Sequence, residues 1–263
     1  MADLKKIGLG GIIFLILLVL LPLCAPFDPT QVDLTQLKLP PDSAHFLGTD
    51  FLGRDELSRL LFALRNSVLI GLLSGIFAVL IALGFAFITL NAPKLIRSSL
   101  LRFLDGFLSL PNLLLILLFS AFSHRGFNII ALSLLLAIFS WGSMAKVIYD
   151  TFLDISTHEF VANERALGAG RFAIMFGEIL PVAQHSVFVL FVNICAHAIS
   201  TEALLSFFGL GLAVGEASLG NMLNEASQAI FTGAWWLVLV PGLAVFSIVF
   251  ALMFLGEKVQ ERA

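Results

Sequence analysis

Apolar residues do not alternate along this chain but run together in long blocks. Six stretches of low polarity stand out, at 7–24, 67–90, 106–122, 127–145, 182–207 and 234–255. A helix needs about 20 such residues to cross roughly 30 Å of hydrocarbon. Inside lipid, every backbone polar group must be satisfied within its own segment, and uncharged Leu/Ile/Phe/Ala blocks of this length do that as helices. A barrel would show shorter, alternating strands. The pattern predicts an all-α polytopic membrane protein with six transmembrane helices. Its expected divisions are a tail and first span at 1–25, an extracytoplasmic segment at 26–65, a five-helix core at 66–256 and a short cytoplasmic tail at 257–263.

One long charged interruption breaks the second half, at 154–181. It reads as two short helices joined at Gly168. The first, 156–167, has Ser156 placed as an N-cap, with Glu159 three residues on to complete a capping box. Gly168 offers the positive φ that ends a helix, and Phe172, Ile174, Met175 and Phe176 resume an apolar face until Pro181 stops it. Phe160, Val161, Ala166 and Leu167 among acids would suit another protein's groove. Residues Ala162 to Gly168, followed by Leu180-Pro181, resemble the cytoplasmic coupling loop of ABC-importer permeases. That loop carries Glu-Ala-Ala, three residues, Gly, nine residues, Ile, one residue and Leu-Pro. The spacing from Gly168 to Pro181 matches; Ala162-Asn163-Glu164 stands in place of Glu-Ala-Ala, and Glu178 in place of Ile. The resemblance implies that Glu159, Ala162, Asn163, Glu164, Ala166, Leu167, Gly168, Leu180 and Pro181 couple the chain to an ATPase.

Composition agrees with a membrane protein: 59% of residues are hydrophobic and 13% charged, with a mean hydropathy of +1.01, against about 25% charged in soluble domains. A net charge of -3 without a dense Lys/Arg cluster excludes nucleic acid as a partner. Cys24 and Cys195 both sit in apolar runs and read as buried packing residues, and 7–24 reads as a retained span. With the N-terminus inside, ten Lys/Arg fall on the cytoplasmic side (Lys5, Lys6, Lys94, Arg97, Arg102, Lys146, Arg165, Arg171, Lys258, Arg262) against five outside (Lys38, Arg54, Arg59, Arg65, Arg125). Both termini, and 154–181, are therefore expected in the cytoplasm.

The outer segment holds Leu47-Gly48-Thr49-Asp50-Phe51-Leu52-Gly53-Arg54-Asp55, with the glycines read as turns. Leu57, Leu60, Leu61 and Leu64 then make one face of an interfacial helix, leaving Arg59 and Arg65 to the lipid headgroups. This block is similar to the Leu-Gly-Thr-Asp-x-x-Gly-Arg-Asp signature of the dipeptide, oligopeptide and nickel branch of ABC-importer permeases, in the shorter, C-type subunit. Arg102-Phe103-Leu104-Asp105 with Pro111, Ser140-Trp141, Glu202 to Gly211, Gly220 to Leu223 and Pro241-Gly242-Leu243 continue the likeness in order. It covers 46–256 and implies the type I importer permease fold in a bacterial inner membrane. The partners it implies are a second homologous permease, two ATP-binding subunits and an extracytoplasmic solute-binding protein. ATP would be bound by those subunits, with no cofactor in this chain; no Gly precedes Lys-Ser or Lys-Thr as a phosphate-cradling loop requires. The substrate would be peptides, or nickel and its chelates.

A rival reading is an ion-coupled carrier. Asn193, His197, Ser200, Thr201 and Glu202 recur every three to five residues in one span, so that Glu202 and His197 could relay protons, or His197 could hold nickel transiently. Alternatively these side chains bond to neighbouring helices, or Glu202 sits at the outer mouth. Arg102 and Asp105 have the spacing of a helical ion pair. His45 and His124 fall in outer loops and read as solvated. Trp235-Trp236 reads as an interfacial belt, and Gly71-x-x-x-Gly75 as a close-packing face for helices within the bundle or of a second permease.

Overall fold

A computed structural model describes residues 20–123, 126–213 and 215–261. Its elements are α1 (Glu56–Asn91), α2 (Lys94–Leu108), α3 (Asn112–Ala121), α4 (Ile129–Ser156), α5 (Glu159–Ala166), α6 (Arg171–Ile174), a π-helical turn (Met175–Ile179), α7 (Leu180–Phe207), α8 (Leu219–Glu225), α9 (Ala229–Thr232) and α10 (Trp236–Gln260). Among the described residues there is no strand, only two isolated bridges, Thr49 to Asp55 and Phe127 to Leu212.

Four of the described helical stretches are long and apolar enough to span a membrane: Glu56–Asn91, Ile129–Ser156, Arg171–Phe207 and Trp236–Gln260. The expected span at 106–122 is instead a broken one, with α2 and α3 meeting at 74°. The cause is Pro111, which lacks an N–H and drives Leu110 out of the helical region. The span expected at 7–24 lies largely outside the described residues; its end, Leu21–Cys24, is a 3₁₀ turn with Pro22 in its first positions. Cys24 is exposed, against the expectation of burial, while Cys195 is buried.

The bundle is built on α1, which lies along α4 and α7, and α10 packs on α7 and shares a buried cluster with α1 and α7. Small residues make this close approach possible. Ala78, Ala82 and Ala86 are fully buried, and a Cβ on Gly71 would stand 2.7 Å from Ile199, one on Gly75 2.6 Å from the Cys195 sulfur. The Gly71/Gly75 face thus seats α7 directly on α1. The expected interfacial helix at 56–64 is not separate: α1 is one helix of 36 residues, started by Asp55, whose carboxylate accepts from the Ser58 N–H. The Trp pair also divides. Trp235 is exposed, while Trp236 is buried with its indole N–H towards the Thr49 carbonyl.

Candidate functional site

The segment 154–181 forms a hairpin at the end of the bundle where α1 and α4 finish. α4 runs on to Ser156, whose hydroxyl donates back to the Leu153 carbonyl at 2.7 Å, so Ser156 closes a helix rather than capping the next one. The cap position of α5 is taken by extended His158, with no side-chain cap. Glu159 in the first turn still complements the helix dipole. The end of α5 is as its glycine requires: Gly168 has φ +88°, and the N–H groups of Gly168 and Ala169 bond to the carbonyls of Arg165 and Glu164, each at 3.0 Å. These paired bonds are the Schellman closure.

Beyond Gly168 the structure corrects the expected stop at Pro181. Pro181 has no N–H to give to Gly177, and in a regular α-helix its ring would strike that carbonyl. The chain widens to a π-turn, in which the Leu180 N–H reaches the Met175 carbonyl, and helix continues from Arg171 to Phe207. The hairpin's second arm and α7 are thus one rod. Val161 is wholly buried rather than presented, and with Ile174, Met175 and Ile179 it joins Tyr149, Phe152 and Ile155 of α4 in one apolar cluster. The outward face is made by Glu159, Ala162, Asn163, Ala166, Gly168 and Leu167, the last 81% exposed. Glu164 and Leu180 are half-buried and Pro181 is exposed at the start of α7.

At the far end of the rod lies Glu202, at 0% exposure. The Ser67 hydroxyl of α1 donates to one carboxylate oxygen at 2.9 Å and the Ser206 hydroxyl to the other at 2.8 Å. The same hydroxyls accept from backbone, Ser67 from Leu219 and Ser206 from Leu212. Gly211 and Gly220 seal the arrangement, since a Cβ on either would fall 2.1 Å from the Ser206 oxygen or 2.4 Å from the Ala203 carbonyl. Glu202 therefore straps α1, α7 and the segment leading to α8 together. His197 is not brought to it. His197 is exposed and its Nδ1 lies 2.9 Å from the Thr201 hydroxyl, which itself donates to the His197 carbonyl. Asn193, His197 and half-buried Ser200 form a polar stripe along the second half of α7, while Thr201 and Glu202 face inward.

The outer segment folds against the start of α1. Arg59, expected among headgroups, is 2% exposed. It is paired to Asp50 and, at 2.6 Å, to Glu225 of α8; Arg54 joins the same two carboxylates at 2.6 and 2.5 Å. A buried guanidinium requires such partners. The signature glycines are turns, as expected, with φ +78° at Gly48 and +74° at Gly53; a Cβ on Gly53 would lie 1.8 Å from the Asp33 carbonyl oxygen. His45 is buried rather than solvated, between Asp55 at 2.9 Å and Gln36 at 2.6 Å, and His124 lies outside the described residues. The Thr30 and Thr35 hydroxyls and amides hold the exposed carboxyls of Asp28 and Asp33 below the usual range. Asp105 faces not Arg102 but Lys146 of α4, at 3.7 Å, a solvated contact that contributes little. Glu225 escaped sequence reasoning, because its partners Arg54 and Arg59 lie 171 and 166 positions away.

Residues 67–263 match the family model described as binding-protein-dependent transport system inner membrane component. The chain is 29% identical, over 98% of its length and 81% of the relative's, to a dipeptide transport system permease protein of Bacillus subtilis (strain 168). It is 32% identical, over 98% and 87%, to a di/tripeptide transport system permease protein of Pseudomonas aeruginosa (strain UCBPP-PA14). Among solved structures it is similar to a chain of the MetNI methionine ABC transporter in an inward-facing form, with a TM-score of 0.58, 17% identity and coverage of 76% of this chain and 95% of that one. The fold is that of an ABC-importer permease, and the chain belongs to the family of inner membrane components of binding-protein-dependent transport systems.

Proposed function

We propose that this chain is a translocation subunit of an ATP-driven importer of dipeptides and short peptides. It carries no ATPase site of its own, crosses the inner membrane six times with both termini in the cytoplasm, and works beside a second, homologous permease. In this reading 26–65 is the extracytoplasmic cap that meets the solute-binding protein, 66–256 is the permease core, and 154–181 docks on one of two ATPase subunits. The face made by Glu159, Ala162, Asn163, Ala166, Leu167 and Gly168 is the contact, with Glu164, Leu180 and Pro181 holding its geometry. Asn193 and His197 border the substrate path, and Glu202 braces it.

The observation that carries the reading is the unbroken helix from Arg171 to Phe207, which joins the exposed hairpin to the Glu202 strap at the opposite end. A push on the hairpin moves a rigid rod, so ATPase closure can be felt at the outer side of the bundle without chemistry in this chain. Peptides are the substrate class because the relatives are named for dipeptide and di/tripeptide transport. The test compares uptake of a labelled dipeptide and of radioactive nickel by a strain lacking the gene and by the complemented strain. Dipeptide uptake should depend on the gene and nickel uptake should not; the opposite dependence refutes the substrate assignment.

A further inference from the structure

We propose that the cleft where α1 ends, between α2 and α6, binds the phosphate headgroup of an anionic lipid. Two adjoining cavities of about 350 and 370 Å³ share Leu90, Asn91 and Arg171, and Arg97 and Arg165 complete their basic lining. One edge of the Arg97 guanidinium donates to the Leu90 carbonyl at 2.8 Å and the Ala92 carbonyl at 3.4 Å, and Arg171 donates to the Asn91 carbonyl at 3.4 Å. Those contacts complement the free carbonyls at the end of α1. They do not use all the donors: Arg97 Nε is buried without an acceptor, and the Arg165 side chain makes no hydrogen bond among the described residues. None of the three arginines forms an ion pair with a carboxylate among the described residues. Three guanidinium groups without a carboxylate partner, lining two adjoining cavities that share Arg171, match the several acceptor oxygens of a phosphate.

The surroundings select a lipid over a soluble anion. Leu95 and Ile96, beside Arg97 in the sequence, are 80% and 52% exposed, and Phe172, beside Arg171, is 67% exposed. α2 packs Leu101, Phe107 and Leu108 on the core and buries only Leu104 fully, while Leu95, Ile96 and Phe103 stay exposed among the described residues and suit acyl chains, as in helices that lie in the bilayer interface. Basic pockets between helices on the cytoplasmic side are suited to anionic headgroups. That the leaflet is the cytoplasmic one rests on the proposed placement of 154–181; the headgroup chemistry does not.

Native mass spectrometry of the full chain, titrated with phosphatidylglycerol and separately with phosphatidylcholine, tests this. Phosphatidylglycerol should bind at least tenfold more weakly to the Arg97→Gln/Arg171→Gln variant, with phosphatidylcholine binding unchanged. Arg102→Gln, an exposed arginine of α2 outside the cleft, should stay within twofold of wild type. If the double variant does not fold, Arg165→Gln, which breaks no hydrogen bond or ion pair among the described residues, should still weaken phosphatidylglycerol at least threefold. Unchanged phosphatidylglycerol affinity in a folded double variant or in Arg165→Gln overturns the proposal. So does occupancy by inorganic phosphate without preference for the lipid, or release of the lipid on adding the ATPase subunits, which would assign the cleft to a soluble anion or to a protein carboxylate.

Discussion

Replacing Gly168 separates the hairpin's geometry from the stability of the bundle. Its φ is +88° and a Cβ there would meet nothing within 4 Å, so the penalty is one of backbone conformation and not of space. Holding an L-residue in the left-handed region costs about 1 kcal/mol for alanine and up to about 3 kcal/mol for a β-branched side chain. At tenfold per 1.4 kcal/mol, Gly168→Ala should deplete the docking-competent hairpin about fivefold and Gly168→Val about a hundredfold. Asparagine, which tolerates this region, should stay near wild type. Relief of the strain requires giving up the bonds from Gly168 and Ala169 to Arg165 and Glu164, which frees α6 to swing against α5. The spans are untouched, so membrane abundance should be equal across the series. The assay is quantitative recovery of ATPase subunits on tagged wild-type, Asn, Ala and Val permeases in detergent, alongside peptide uptake. Equal recovery and uptake in all four would refute the argument that this turn sets the docking surface.

Three further outcomes are expected. In a Cys24→Ser background, made necessary by the exposed Cys24, Asp42→Cys should react with a membrane-impermeant thiol reagent on intact cells and Asn163→Cys should not; reversed labelling contradicts the orientation. Glu202→Ala leaves the Ser67 and Ser206 hydroxyls without their buried acceptor, a loss of about 1–3 kcal/mol per group left unpaired. Its melting temperature and abundance should fall, while wild-type uptake at constant ATP should survive collapse of the proton gradient; gradient dependence would favour the carrier reading. Gly75→Leu drives side-chain atoms into Cys195 and Phe191 and should destabilise by about 1–3 kcal/mol. Gly84→Ala, where a Cβ meets nothing within 4 Å, should be neutral or slightly stabilising, and equal melting of the two variants would contradict the α1–α7 contact.

What could be read from the sequence was what is local or periodic. Long apolar blocks announced helices, the Gly71/Gly75 spacing a close helix contact, and Gly168 a positive-φ turn. The errors arose where neighbouring context overrides a local rule. Ser156 has a capping spacing, but α4 had not yet ended; Pro181 is a helix breaker, yet one π-turn absorbs it. Pro111 broke a span whose hydropathy alone looked continuous. The remaining misses are pairings between residues far apart in sequence. Arg59 looked like a headgroup ligand because its partner Glu225 lies 166 positions away, and the roles of Glu202 and His197 separated only once α7 was rotated against α1. Charge spacing on one helix says nothing about which face a neighbour will cover.

The central claim is that the outward face of α5 docks on an ATPase, and a photo-crosslinking amino acid placed at single positions in the assembled transporter tests it most directly. Leu167 is 81% exposed and Val161 is 0% exposed, six residues apart on the same short segment. A crosslinker at Leu167 should capture an ATP-binding subunit, and one at Val161, sealed against α4, should capture none. Assembled transporter in which Leu167 yields no ATPase adduct, or no more than Val161 does, would contradict the account.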